Sequence, residues 1–205
     1  MKIGRVDIEW LGHASFKIRN SAIIYIDPFK IRETEKADII LITHEHFDHC
    51  SPEDVKRIMG PKTIVIAPAD CSSKIDGHAR SLRPGEATEI GKVVVEAVPA
   101  YNITKSFHPR QKQWVGYIIA IDGHRIYHAG DTDAVPEMND IKADIAMLPV
   151  GGTYTMDVNE AAKAAEMIRA KYVIPMHYGS VVGDKSDGEK LKQICSCDVL
   201  LLPQK

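Results

Sequence analysis

Between positions 43 and 49 the chain reads Thr43-His44-Glu45-His46-Phe47-Asp48-His49. Imidazole nitrogen and carboxylate oxygen are the usual ligands of a catalytic zinc, and they also suit iron, nickel and manganese. In a loop leaving a strand, residues two apart face the same way. His44 and His46 can therefore grip one ion while Asp48 and His49 turn toward a second position. The chain holds nine His and sixteen Asp in 205 residues. Random placement would give this four-position pattern on the order of once in a thousand such chains, so a metal site reads better than a run of surface histidines. The His-Glu-x-x-His helix of a metalloprotease does not fit, because position 48 is Asp and Ser51-Pro52 breaks the segment.

Two further candidates lie at strand ends, where active-site groups collect. Asp131 stands in Ala129-Gly130-Asp131-Thr132, and His177 in Ile174-Pro175-Met176-His177-Tyr178-Gly179. Singly, Asp131 could be a turn residue and His177 a hydrogen-bonded core histidine. Beside the first motif they read as one site.

The elements that must position these groups are short and Ile/Val-rich. Strands are predicted at Ile23 to Ile26, Ile39 to Ile42, Thr63 to Ala67, Val93 to Val98, Val115 to Ile121, Arg125 to His128, Ile145 to Leu148 and Tyr172 to Pro175. A helix begins at Ser51-Pro52, buries Val55, Ile58 and Met59, and stops at Gly60-Pro61. A second begins at Asp157, with Glu160 as its capping-box partner, and runs to about Ala170. A third begins near Ser186, with Glu189 in the matching place and Leu191 and Ile194 on one face. No linker or low-complexity segment divides residues 1–205, which predicts one domain. The order of elements suggests packed sheets with helices outside, an α/β (α+β) arrangement.

Trp10-Leu11-Gly12-His13-Ala14-Ser15, the 43–49 motif, Ala129-Gly130-Asp131-Thr132-Asp133 and Pro175-Met176-His177-Tyr178-Gly179 together resemble the metallo-β-lactamase superfamily. Its signature is His-x-His-x-Asp-His, then a third His, a bridging Asp and a last His. The chain is similar in particular to metal-dependent hydrolases related to the L-ascorbate-6-phosphate lactonases, from about residue 6 to the C-terminus. The resemblance implies an αββα sandwich with two divalent ions at one sheet edge, zinc first, with manganese, iron or nickel as alternatives. It implies that His44 and His46 hold the first ion, that Asp48, His49 and His177 hold the second, and that Asp131 bridges them. Related sequences often carry a His where this chain has Asn102, and His108 is the nearest replacement. The resemblance places His13 at the cleft, with a catalytic role beside Asp48. An ordinary buried histidine is the other reading of His13. Asp27 is read as a carboxylate that orients a ligand histidine, or as a strand-end turn before Pro28. Gly151-Gly152-Thr153-Tyr154 forms either a loop near the metals or a turn into the second helix. His78 and His124 are read as surface or loop residues and His128 as a packing residue.

Such a centre would activate a shared water for attack on an ester, lactone or phosphodiester bond of a small substrate, with Asp48 orienting or deprotonating that water. The alternative is a non-catalytic metal-binding or sensor protein on the same scaffold. Bulk properties narrow the field. A net charge of -2 argues against a general nucleic-acid binder, but leaves room for a local basic patch around an anionic substrate. No apolar run approaches a membrane span and no signal peptide is legible. Cys50, Cys71, Cys195 and Cys197 lack the density of a disulfide scaffold, so a cytoplasmic protein is expected, with Cys195 and Cys197 buried at a helix end rather than forming a metal or redox pair. A homo-oligomer is compatible with the sequence.

Overall fold

The computed structural model describes residues 1–75 and 79–205, so the surface reading of His78 lies outside the described residues. Among the described residues fourteen strands form two seven-stranded sheets, each laid out in chain order. The first contains β1 (Lys2–Ile3), β2 (Val6–Gly12), β3 (Ser15–Arg19), β4 (Ile23–Ile26), β5 (Ile39–Leu41), β6 (Ile64–Ile66) and β7 (Ala79–Arg80), with helix α1 (Pro52–Ile58) between β5 and β6. The second contains β8 (Ala87–Ile90), β9 (Val93–Pro99), β10 (Val115–Ile121), β11 (His124–His128), β12 (Ile145–Pro149), β13 (Tyr172–Met176) and β14 (Asp198–Val199). Helices α2 (Val158–Ile168) and α3 (Asp187–Ile194) connect β12 to β13 and β13 to β14.

The strands that read as unbroken aliphatic runs are covered on both faces. Ile24, Ile26, Ile39, Leu41 and Ile66 point into the core between the sheets. Their alternate neighbours Tyr25, Ile40 and Val65 form a separate cluster with Val55 and Ile58 of α1. Period-two alternation with apolar residues on both sides is what a sheet buried on two faces requires. On the other side Ala161, Ala164, Ala165 and Ile168 of α2 join the core with Ala146 and Leu148 of β12. These layers are the αββα sandwich that the resemblance implied, with the packed sheets and outer helices that the element order suggested.

Strand direction explains where the functional loops emerge. β4 to β7 are parallel, and β2 runs with them because β3 is antiparallel to both β2 and β4. In the second sheet β11 to β14 are parallel, and β9 runs with them by way of antiparallel β10. The carboxyl ends of such strands are where open α/β sheets bind ligands. His13 follows β2, Asp27 follows β4, His44 follows β5, His108 follows β9, Asp131 follows β11 and His177 follows β13.

Several expectations need correction. β1, β2, β3, β7 and β8 are additional strands. β2 alternates aliphatic with polar residues over Val6 to Glu9 and β8 places Thr88 and Glu89 between Ala87 and Ile90, weaker signals than a continuous run. Helix α1 is capped by Ser51 as expected, but Met59 is its half-buried C-cap. The capping box of Asp157 and Glu160 forms, and α2 stops at Ile168 because Arg169 turns left-handed. Ser186 makes no capping bond, since its hydroxyl donates to Asp184 Oδ1 (2.6 Å). Leu191 is buried but Ile194 is 49% exposed, so the two do not share a buried face. Cys195 and Cys197 do lie at a helix end, but they are half-buried rather than buried.

Candidate metal centre

Asp131 is the hub of a cluster of histidines. Its carboxylate lies 3.1 Å from His177 Nε2, 3.3 Å from both His49 Nε2 and His108 Nε2, and 3.9 Å from His44 Nε2. His46 Nδ1 lies 3.1 Å from His44 Nε2. Asp48 Oδ2 lies 3.0 Å from His13 Nε2. Three groups bring ligand atoms within 4.8 Å of one another: His44, His46 and His108; His44, His49 and Asp131; and His13, Asp48, His49 and His177. All seven of the expected metal ligands therefore converge, and His13 joins them.

The buried protons can be assigned from the bonding. The Thr43 hydroxyl gives its one proton to Asp27 Oδ2 (2.7 Å), so toward His44 Nδ1 (2.9 Å) it can only accept. His44 therefore carries its proton on Nδ1 and turns the lone pair of Nε2 inward. His49 Nδ1 donates to the same Asp27 oxygen (2.8 Å), which leaves Nε2 aimed at Asp131. Asn102 Oδ1 accepts from the His108 amide (2.9 Å), so it is the oxygen that faces the His108 ring and accepts from Nδ1 (3.0 Å). Asn102 is fixed in turn by its own amide, which donates to Asp133 Oδ1 and the Tyr154 carbonyl, both at 3.0 Å. Asn102 thus stands behind His108 as its orienting partner. Metal-bound histidines generally need such a partner on the far nitrogen.

Several of the atoms that face inward have no hydrogen-bond partner. His49 Nε2, His108 Nε2, both ring nitrogens of His177 and Asp131 Oδ1 are buried without a hydrogen-bond partner. Buried polar atoms are otherwise almost always satisfied. Orphaned imidazole nitrogens and a carboxylate oxygen, on residues whose ligand atoms cluster within 4.8 Å in groups, are the donor set of a divalent cation, so these residues fit the metals that the sequence implies.

Electrostatics follow from burial and the two carboxylates. Burial holds the imidazoles of His44, His46 and His13 below their ordinary range. For His49 burial acts the same way, but Asp131 and Asp27 outweigh it and raise its pKa well above 6.5. Burial would raise Asp48, yet the His13 hydrogen bond and the His49 charge hold it at about 2. In the metal-free protein His49 should therefore remain imidazolium at pH 7 while His44 is neutral. Its contribution to stability is complete below the unfolded pKa and is lost as pH rises through the raised folded value. Histidine proton NMR of chelator-treated protein should show His49 titrating above neutrality, with thermal stability declining over the same interval. A His49 midpoint at or below 6.5 would contradict the arrangement.

Local backbone geometry supports the site. His177 sits at φ 58° and its amide donates to the His13 carbonyl (2.9 Å). A Cβ at Gly151 would overlap the His177 carbonyl oxygen and crowd Val182. Gly151 thus allows the loop after β12 to pack on the loop that carries His177. The same loop brings Tyr154 to the wall of a cleft of about 340 Å³, lined also by His46, Phe47, Asp48, Phe107, His108, Asp131, His177 and Val181. Trp114 has no motif spacing in the sequence and was not anticipated. Its ring lies 4.9–5.6 Å from those of His44, His46 and His108, and its indole donates to Asp70 Oδ2 (2.8 Å). His128 packs in the core, with Nε2 donating to the Ala14 carbonyl (2.9 Å), and His124 is half-buried at the start of β11.

Comparison with known proteins agrees in extent with this architecture. A family model described as the beta-lactamase superfamily domain matches residues 7–177. UPF0173 metal-dependent hydrolases of Thermococcus kodakarensis and Pyrococcus horikoshii are 36% and 35% identical to the chain, each match covering 92% of both sequences. The crystal structure of a metal-dependent hydrolase from Parabacteroides distasonis is similar with a TM-score of 0.89 and 39% identity, over 98% of this chain and 94% of that one. A metallo hydrolase from Ignicoccus hospitalis shares the fold, with a TM-score of 0.78 and 24% identity, over 97% of this chain and 95% of that one.

Proposed function

The chain belongs to the β-lactamase superfamily, and from that premise we propose that it is a metal-dependent hydrolase acting on an ester, lactone or phosphodiester bond of a small substrate. The observation that carries this reading is the set of buried, unpartnered ligand atoms around Asp131 beside an open cleft. We assign His44, His46 and His108 to one ion and Asp48, His49 and His177 to the other, with Asp131 bridging. Two divalent ions, zinc or manganese, would supply Lewis acidity and a water of lowered pKa.

The remaining chemistry belongs to the chain. Asp48 lines the cleft, 8% exposed, and its low pKa keeps it an acceptor able to orient a water by one of its protons. His13 donates to Asp48 Oδ2 and so fixes the direction of that carboxylate. His13 acts as a positioning residue. Asp27, Thr43 and Asn102 hold protons on Nδ1 of His49, His44 and His108, so that Nε2 is the nitrogen each ring would turn to an ion. The wall of Phe47, Phe107, Tyr154 and Val181 excludes bulk water from the reacting bond.

The test is a panel of esters, lactones and phosphodiesters assayed with chelator-treated protein and after Zn²⁺ or Mn²⁺ is restored, alongside elemental analysis. Hydrolysis that depends on about two ions per chain supports the reading. Full metal loading with no turnover would support a non-catalytic metal-binding or sensor protein instead. Turnover that survives metal removal would also refute the proposal.

A further inference from the structure

The loops that deliver the ligands also deliver exposed apolar side chains. Phe47 lies between His46 and Asp48, Phe107 directly precedes His108, and Val181 follows His177 by four positions. They are 70%, 44% and 42% exposed, and all three line the cleft. Phe107 packs edge-on against Tyr154 at 4.7 Å between centroids, and Phe47 packs edge-on against Phe29 at 5.8 Å. Apolar groups left in water and gathered around one opening mark a binding surface. Their continuity with the ligand loops sets the occupant, because whatever is held at Asp131 must extend past them.

The charges nearby point the same way. No Lys or Arg is among the described residues that line the cleft. Lys105 is engaged by Asp133 (2.7 Å) and Glu160 (3.6 Å). Lys112 is engaged by Glu45 (2.6 Å) and Asp70 (3.5 Å), and Lys74 by Glu45 (3.2 Å). Arg110 pairs with Glu137 (2.8 Å). Beyond the proposed ions, a phosphorylated substrate would find no Lys or Arg among the described residues of the cleft wall.

Resting on the hydrolytic reading above, we propose that the substrate is an uncharged carboxylic ester or lactone whose acyl part carries an apolar chain or ring against Phe47, Phe107 and Val181. The reaction is a hydrolysis. Water supplies the oxygen of a new acyl C–O bond, the original acyl C–O bond breaks, and the alcohol oxygen leaves with a proton.

The experiment uses the Zn²⁺-loaded full-length chain and 4-nitrophenyl esters from acetate to octanoate, with 4-nitrophenyl phosphate and bis(4-nitrophenyl) phosphate as competitors. Burial of each added methylene should raise kcat/KM about two- to fourfold until the cleft is filled. Calorimetry on the same protein should show hexanoate binding at least about tenfold tighter than acetate, four methylenes apart. Phe47→Ser and Phe107→Ser should each flatten the chain-length dependence. A flat or falling series with a phosphate ester preferred would overturn the assignment. So would a dimer that Phe47→Ser dissociates, together with a flat series, since a second copy would then cover these residues. Should nothing be hydrolysed although metal is bound, the hydrolytic reading fails on its own, and calorimetry decides the subsite. Tighter binding of hexanoate upholds the apolar wall, and equal binding of hexanoate and acetate overturns it.

Discussion

Asp131→Ala should cost the protein both of the proposed metals, where loss of any one histidine should cost mainly one. Four histidine nitrogens lie within 3.9 Å of this carboxylate, and they come from both proposed ion positions. Without Asp131 the two sites lose a shared anionic ligand, and the positive charges they hold lose the group between them. Elemental analysis after reconstitution should fall from about two ions per chain to well below one. Hydrolytic kcat/KM should fall by more than the roughly 10–100-fold typical of residues one layer further out. The metal-free variant separates this effect from misfolding. Burial raises the Asp131 pKa, but His177 and His49 outweigh it and hold it well below the ordinary carboxylate value. Its stabilising contribution is therefore present above the unfolded carboxylate pKa and disappears as pH falls through the folded one. Near neutral pH the metal-free variant should be less stable than the metal-free parent, and the gap should close on acidification. A variant that retains both ions and full activity would show that Asp131 is not the bridge.

What the sequence disclosed depended on how local each signal was. His44, His46, Asp48 and His49 fall within six residues, so their spacing alone announced a metal site. Asp131 and His177 were legible because each follows a short apolar strand, and parallel strands with the same direction bring their ends to one edge. His108 was harder. It sits nine residues beyond Pro99, the end of β9, in a loop with charged neighbours, and nothing local distinguishes it from a solvated histidine. What settles its orientation is Asn102, whose side chain contacts His108, Asp133 and Tyr154 across three segments of the chain. Such a bond has no periodicity to read. Trp114 was invisible for the same reason. It acts by lying against histidines from two other loops. The missed strands have a different cause. β2 and β8 are only partly covered, so polar residues interrupt their aliphatic pattern and weaken a reading based on continuous runs. The Gly12-His13-Ala14-Ser15 turn, noticed as a motif, is in fact the bulged connection between two of those strands.

Asp27→Asn should weaken metal binding at both positions although Asp27 would touch neither ion. The side chain is fully buried and receives three bonds. Oδ1 accepts from the Thr43 amide (2.8 Å), and Oδ2 accepts from the Thr43 hydroxyl (2.7 Å) and His49 Nδ1 (2.8 Å). An asparagine keeps one oxygen and places an NH₂ group at the other position. With NH₂ at the Oδ1 position it would face the Thr43 N–H, donor against donor. With NH₂ at the Oδ2 position it donates to His49 Nδ1, which must then be unprotonated, and the proton moves to Nε2 on the metal side. The Thr43 hydroxyl, no longer spent on Asp27, can donate to His44 Nδ1 with the same consequence. One exchange of oxygen for nitrogen thus turns two ligand histidines into donors. Backbone strain is not a competing explanation. Asp27 stands at φ 43°, a left-handed position that asparagine tolerates as well as aspartate does. Competition with a chromogenic chelator should show about a 10–100-fold loss of affinity at each site. Long-range ¹⁵N–¹H spectra of the metal-free variant should show the His44 proton on Nε2 in place of Nδ1, and His49 without the Nδ1 proton that its imidazolium carries in the parent. Unchanged affinity together with unchanged tautomers would mean that Asp27 only fills space beneath β5. Lost affinity with unchanged tautomers would mean that its negative charge, not its placement of protons, is what the metals require.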